Sequence, residues 1–167
     1  MKLTEEQKKA NREAKKAARV LATETARVEE EKNQKPVKSI TISIEWKKSR
    51  RWGSNPVAEG RIEYADGTWG HTATARASGC GYDKESAVIA QIFNWCLKYK
   101  LWALSDEAMN GERGGGRVPY GINRYNNGRC FASGVGTSCY YDICKYLGGT
   151  FVHTASGKAF DVYTATF

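Results

Sequence analysis

The chain has 167 residues and carries 26 Lys and Arg against 18 Asp and Glu, which gives a formal net charge of +8. This length suits one domain with its own core plus an appendage. No apolar run approaches the roughly 18 residues that would span a bilayer, so we expect neither a membrane anchor nor a membrane partner. The five cysteines lack paired metal-ligand spacing, which favours reduced thiols in a cytoplasm.

Residues 1–35 are predicted to form a charged helical extension. They contain neither Gly nor Pro, and helix formers occupy most positions. After Leu3, only Val20, Leu21 and Val28 are large apolar residues, so this helix has little apolar surface to pack against a core. We expect it to project from the domain. It either associates with itself or with a protein partner, or it is a solvated extension without one.

Residues 36–167 are predicted to form a single α+β domain, since Pro36 cannot continue the helix. The next apolar side chains alternate with polar ones, which predicts a half-buried strand whose inward residues are Ile40, Ile42, Ile44 and Trp46. Two further strands, 57–64 and 68–77, are joined by an Asp-Gly turn. Apolar residues then recur at helical spacing, which predicts a helix over 84–99.

The second half of the domain is predicted to contain a helix over 138–147 and a hairpin of strands 150–154 and 158–167. Between the two helices lies a Gly/Arg-rich loop at 105–128. The predicted fold class is therefore α+β. It has an antiparallel sheet of about five or six strands with two helices packed on one face, plus the N-terminal extension.

A run of cations lies where the first predicted strand ends. Four basic residues stand between two tryptophans, in the order Trp46, Lys47, Lys48, Ser49, Arg50, Arg51 and Trp52. Cations of this kind can meet phosphates while aromatic rings stack on bases. We predict a nucleic-acid or partner-binding site here, with Arg113 and Arg117 of the glycine-rich loop as further contacts. The alternative is a solvated hairpin tip whose tryptophans pack inward.

Two similar glycine-rich junctions each precede a predicted helix. The first contains Ser78, Gly79 and Gly81, and the second contains Ser133, Gly134 and Gly136. Backbone N–H groups at such a junction can converge on an anion at the start of the helix, which would suit the phosphates of a nucleotide. The alternative is a pair of tight strand-to-helix turns, the first closed by Asp83 as a helix cap.

Cys80 is the strongest candidate nucleophile, because the dipole at a helix N-terminus would increase its thiolate fraction. His71 or His153 would have to serve as its base, yet no local signature joins either histidine to it. Cys139 and Cys144 are five residues apart and share a helix face poorly, so they do not indicate a metal site. We therefore predict no catalytic residue, no metal and no cofactor.

The stretches Ile44 to Arg50 and Ser78 to Ser86 resemble small accessory proteins carried by bacteriophages and prophages, over about residues 38–100. The resemblance brings no defined activity or site residues with it. It implies a context, because accessory phage proteins of this size often inhibit host defence. They do so by binding a nucleic-acid-guided nuclease, a defence enzyme or its nucleotide signal.

The function expected from the sequence is that of a non-catalytic basic binding protein. The resemblance makes it a phage-type, anti-CRISPR-like inhibitor of a host nucleic-acid-guided defence nuclease. It would act in the cytoplasm of a host cell by binding nucleic acid or a nucleoprotein complex. The alternative is a nucleotide-binding sponge, or a small enzyme, that uses the two glycine-rich junctions.

Overall fold

The computed structural model describes residues 4–51, 53–78, 83–110, 119–124, 129–134 and 136–167. The chain divides into two compact units, Met1–Gln34 and Lys35–Phe167. The first unit holds helix α1 (Glu5–Asn33). Thr4 and Gln7 start this helix by exchanging side-chain-to-backbone hydrogen bonds of 2.9 and 3.3 Å, which is a capping box. Within the described parts of the chain, no helix combines the length and apolar character needed to cross a membrane.

The second unit is an α+β domain, as the sequence predicts. Its elements, in chain order, are β1 (Val37–Ser49), β2 (Gly53–Tyr64), β3 (Trp69–His71), β4 (Ala75–Arg76), α2 (Lys84–Cys96), α3 (Lys98–Asn110), β5 (Ile122–Arg124), β6 (Cys130–Ala132), α4 (Cys139–Tyr146), β7 (Thr150–Ser156) and β8 (Phe160–Thr166). Six strands form an antiparallel sheet in the order β3-β2-β1-β8-β7, with β4 also paired to β2. Strands β5 and β6 form a separate antiparallel pair.

Strand β1 lies at the centre of the sheet, and its apolar face builds the core. Ile40, Ile42 and Ile44 are at most 1% exposed, because period-two alternation directs all three to the side that the helices cover. Helix α2 covers them with a buried apolar face, and Phe93 of that face contacts Tyr140 of α4 edge to face, with ring centroids 5.0 Å apart. The fold class and its two covering helices are therefore confirmed.

The third predicted strand, 68–77, is wrong in detail, because it divides into β3 and β4. Between them, Thr72 leaves the regular ladder and bonds to Gly60 twice. The Thr72 amide donates to the Gly60 carbonyl at 2.8 Å, and the Thr72 hydroxyl accepts from the Gly60 amide at 2.8 Å. A side chain thus replaces a ladder bond, and the strand is interrupted there.

Two other predicted boundaries are corrected by the structure. The helix expected over 84–99 is two helices, which meet at Leu97, where φ is −115° and ψ is 21°. The second of them, α3, continues to Asn110, since its buried Leu101 and Leu104 keep it attached to the core. The loop predicted at 105–128 therefore begins later, and it includes the short strand β5.

Helix α2 is joined to the end of β6 by side-chain bonds and to the residue Gly134 beyond it by a close backbone approach. Asn94 binds Ala132 twice, since its amide donates to the Ala132 carbonyl and accepts from the Ala132 amide, both at 2.8 Å. Two residues further on, a Cβ on Gly134 would lie 2.7 Å from the Cα of Ala87 and 3.0 Å from its backbone nitrogen. Only glycine permits the two backbones to approach this closely.

We expect Gly134→Ala to destabilise the domain by about 3 kcal/mol, because a rigid backbone must move to admit the new methyl group. Gly148→Ala is the matched control, since its Cβ meets nothing within 4 Å and only the positive φ of 87° is strained. That control should lose about 1 kcal/mol. Urea denaturation measures both changes, and equal losses would contradict the close approach.

Candidate nucleic-acid interface

The hairpin formed by β1 and β2 extends beyond the rest of the sheet. Pairing between β1 and β8 ends at Glu45 opposite Phe160, and the Trp46 amide still donates to the Ala159 carbonyl at 2.8 Å. Beyond Trp46, β1 and β2 continue through three further pairs, from Lys47 opposite Asn55 to Ser49 opposite Gly53. At about 3.3 Å per residue, these pairs carry the hairpin roughly 10 Å past the sheet. We call residues 47–53 the hairpin tip.

The hairpin tip presents cations in several directions. The side chains of Lys47, Lys48, Arg50 and Arg51 are exposed. Lys47 and Lys48 point to opposite faces of the two-stranded ribbon, because successive strand residues alternate. Lys47 lies 3.5 Å from Glu45, and within the described residues Lys48, Arg50 and Arg51 form no ion pair. The tip is therefore a projecting ribbon whose positive charge is largely uncompensated.

Trp46 belongs to the base of the hairpin and faces the core. It follows Ile44 in the alternation, is partly buried, and donates from its indole Nε1 to Asp161 Oδ2 at 3.1 Å. For this residue the structure matches the inward-packing alternative rather than an aromatic clamp around the cations. Trp52, the other half of that predicted clamp, lies outside the described residues.

A cluster of polar side chains ties the hairpin base to neighbouring elements. Asp161 accepts from Trp46 with one carboxylate oxygen, and its other oxygen lies 3.0 Å from His153 Nε2. The His153 ring stacks on Tyr163 at a centroid distance of 4.4 Å, and the Tyr163 hydroxyl donates to Glu85. The cluster thus connects β1, β8, β7 and the first turn of α2. It anchors the base from which the tip projects.

Burial raises the pKa of two members of this cluster, Glu85 and Tyr163. Desolvation raises the pKa of Glu85, the negative charges of Asp161 and Asp83 raise it further, and the bond from Tyr163 and the charge of His153 oppose them. The pKa of Tyr163 is also raised, first by burial and then by its bond to Glu85. Glu85 is therefore less stable as a carboxylate in the folded domain than in water.

Asp83, which precedes α2, binds both the start of α2 and Thr137, which follows the second glycine-rich junction. Its Oδ1 accepts from the Ser86 amide at 3.1 Å and caps α2, as the sequence predicts. Its Oδ2 accepts from the Thr137 amide at 3.1 Å and lies 3.3 Å from the Thr137 hydroxyl. The Thr137 amide therefore already donates to a carboxylate of the protein itself. A phosphate bound at the second junction would need that same N–H group.

The other residues predicted for these junctions have varied surroundings. Ser78 is exposed, and Ser133 bonds through its hydroxyl and its amide to Gly121. Gly134 packs against Ala87, and Gly136 has φ of 157°. Gly79 and Gly81 lie outside the described residues, as do Cys80, Arg113 and Arg117.

The surroundings of the described cysteines and histidines show neither a reactive thiol nor a metal site among the described residues. Cys96, Cys130, Cys139 and Cys144 form no disulfide with one another. Burial raises the pKa of Cys96 and of Cys144 to about 12, which keeps both as thiols. His71 lies opposite Arg61 on an edge strand. Within the described parts of the chain, no group of three His, Cys, Asp or Glu side chains could hold a metal ion.

The face of the sheet opposite the helices carries mixed charge. A depression of about 420 Å³ on it is lined by acidic Glu45 and Glu59, basic Lys47 and Arg76, and apolar Phe160. Near the edge, Arg61 lies over the ring of Trp69 at 4.4 Å, and Trp69 remains 54% exposed. Acidic side chains, with Asp161 as a third at the depression, lie among the basic ones on this face, so it is a weaker candidate for binding a polyanion than the hairpin tip.

We expect Glu85→Gln to become more stable relative to the wild type as the pH rises. Because the pKa of Glu85 is raised in the folded state, the folded wild type binds this proton more firmly than the unfolded chain does. The wild type therefore loses stability as the pH rises from the ordinary pKa of 4.5 through the raised folded pKa, and the glutamine variant does not. Glutamine keeps an acceptor for Tyr163 without the charge. Glu59→Gln is the control, because Glu59 is exposed and also accepts a hydroxyl bond, from Thr74. Urea titrations from acid to neutral pH test this, and identical pH profiles for wild type and Glu85→Gln would contradict it.

No family model matches the chain, and no curated protein and no solved structure matches it either.

Proposed function

We propose that the protein is a non-catalytic basic binding protein whose hairpin tip binds the phosphate backbone of nucleic acid, either bare or within a nucleoprotein complex. The observation that carries this proposal is the projection of Lys47, Lys48, Arg50 and Arg51 beyond the sheet, where Lys47 alone of the four has an acidic partner among the described residues. Cations held on a projecting ribbon can reach phosphates that a flat surface would not reach.

The shape of the tip suits a nucleic-acid groove. A two-stranded β-ribbon fits the major groove of B-form DNA, which is about 12 Å wide. The ribbon carries Lys47 and Lys48 on its two faces and two arginines at its turn, so cations can meet phosphates on both sides of a groove. Such contacts hold the protein on the nucleic acid without reading its sequence.

The base of the ribbon is fixed, which supports the same proposal. Trp46 is held by Asp161, and on the other strand the Lys84 ammonium donates to the Ser54 carbonyl at 3.2 Å and to Asn55 Oδ1 at 2.8 Å. A fixed base sets the direction in which the tip projects. Less conformational freedom is then lost when the tip binds.

The nucleotide-binding alternative has less support in the described residues. Asp83 accepts from the Thr137 amide, and Gly134 is closed off by the backbone of Ala87. A phosphate approaching the second junction would meet a carboxylate. The hairpin tip is therefore the better-supported binding site of the two.

The resemblance to phage accessory proteins supplies a biological setting for the proposal. In that setting the protein is an anti-CRISPR-like inhibitor in the cytoplasm of a host cell, and its target is a nucleic-acid-guided defence nuclease. The tip would occupy either the nucleic acid or the nucleoprotein surface of such a complex.

We expect Arg50→Glu/Arg51→Glu to weaken binding to labelled duplex DNA by about tenfold or more, and to lower the salt slope by about 1.8 as two phosphate contacts are lost. Fluorescence anisotropy at several salt concentrations measures both quantities. Single-stranded DNA and RNA are titrated alongside, because an acidic protein surface would also give salt-dependent binding and only bare nucleic acid separates the two.

Lys98→Glu/Lys145→Glu is the matched control, since it changes net charge by the same amount on α3 and α4, which are not part of the hairpin. The control should bind almost as the wild type does. Equal losses in the two variants would show that total charge, rather than the tip, determines binding. A wild-type protein that binds no bare nucleic acid at any salt concentration would overturn the proposal for free nucleic acid and leave only the nucleoprotein surface to be tested.

A further inference from the structure

Helix α1 has one strongly basic face. At 3.6 residues per turn, its six basic side chains between residues 8 and 19 point within about 120° of one another. They are Lys8, Lys9, Arg12, Lys15, Lys16 and Arg19, and all are exposed. We call them the basic face of α1.

The basic face is largely free of acidic neighbours. Lys8 lies 2.6 Å from Glu5, and within the described residues the other five cations form no ion pair. Glu13 lies in the same stretch of the helix, but its direction is outside the 120° sector. Repulsion among six cations disfavours this arrangement in isolation, and a polyanion would relieve it.

We propose that the basic face of α1 is a second contact with double-helical nucleic acid, made along the phosphate backbone. From residue 8 to residue 19 the helix rises about 16 Å, a length over which B-form DNA carries roughly ten charges. The inference deepens the proposed function and rests on nucleic acid being the ligand, yet it uses none of the residues of the hairpin tip.

An anionic membrane is the weaker partner for the same face. A helix that lies on a bilayer buries large apolar side chains opposite its cations. Opposite the basic face, the residues between 8 and 19 are small, namely Ala10, Ala14 and Ala17. Alanine methyl groups bury little area, and the large apolar side chains that point the same way, Leu21 and Val28, lie beyond the basic face. Along the basic face itself charge would supply most of the attraction, and a nucleic acid supplies that charge more densely.

The test compares two variants of the full chain on labelled duplex DNA. Arg12→Gln/Arg19→Gln removes two central cations, and glutamine has nearly the helix propensity of arginine. We expect about tenfold weaker binding and a salt slope lower by about 1.8. The second variant adds Ala10→Lys/Ala17→Lys to those changes, which restores the net charge at the same seven-residue spacing on the opposite face. We expect it to bind no better than the first, because the added lysines do not face the same phosphates.

The outcomes separate this inference from the proposed function. Full recovery in the charge-restored variant, or no loss in Arg12→Gln/Arg19→Gln, overturns the contact by α1 while the effect of Arg50→Glu/Arg51→Glu still supports the tip. Loss of binding in Arg12→Gln/Arg19→Gln without recovery in the charge-restored variant, together with no loss in Arg50→Glu/Arg51→Glu, supports the contact by α1 alone. Binding to vesicles containing phosphatidylserine, with none to DNA, overturns both contacts. Circular dichroism checks that each variant keeps its helix content.

Discussion

The burial of the apolar face of β1 is the constraint on which the rest of the structure depends. Ile40, Ile42 and Ile44 place this strand between β2 and β8 and beneath α2. Because side chains alternate, the same register fixes Trp46 on the covered side and Lys47 on the open side. A slip of one residue would bury lysine and expose isoleucine, so the position of every cation in the tip follows from the packing of the core.

Local patterns in the sequence account for much of this fold. Period-two alternation gives β1, helical spacing gives α2, and the Asp-Gly turn closes the hairpin after β2, where Gly67 has φ of 82°. The ends of the strands are less predictable from the sequence. Thr72, for example, interrupts a strand through a side-chain bond to Gly60, twelve positions earlier. Neither propensity nor period encodes such a contact.

The sequence also located the cations of the tip, since they fall between two strands, but it did not reveal what fixes them. The cluster of Asp161, His153, Tyr163 and Glu85 joins residues up to 78 positions apart, and each of its members looks ordinary in its own stretch of chain. The glycine-rich junctions show the opposite difficulty. Their local pattern suggested an anion site, whereas Asp83 of the chain itself supplies an anion to Thr137.

The isolation of the tip has a consequence for local stability. Among the described residues, no third strand lies beside the β1–β2 ladder beyond Trp46. The last pair, Ser49 opposite Gly53, can therefore open without disturbing the core or the bonds from Lys84 to Ser54 and Asn55. Local opening of this kind requires less free energy than global unfolding, so we expect the backbone amides there to exchange their hydrogens with solvent sooner than those of Ile42 or Ile44. The turn can therefore adjust its backbone to the spacing of the groups it meets, while the register set by the core returns it to one starting geometry.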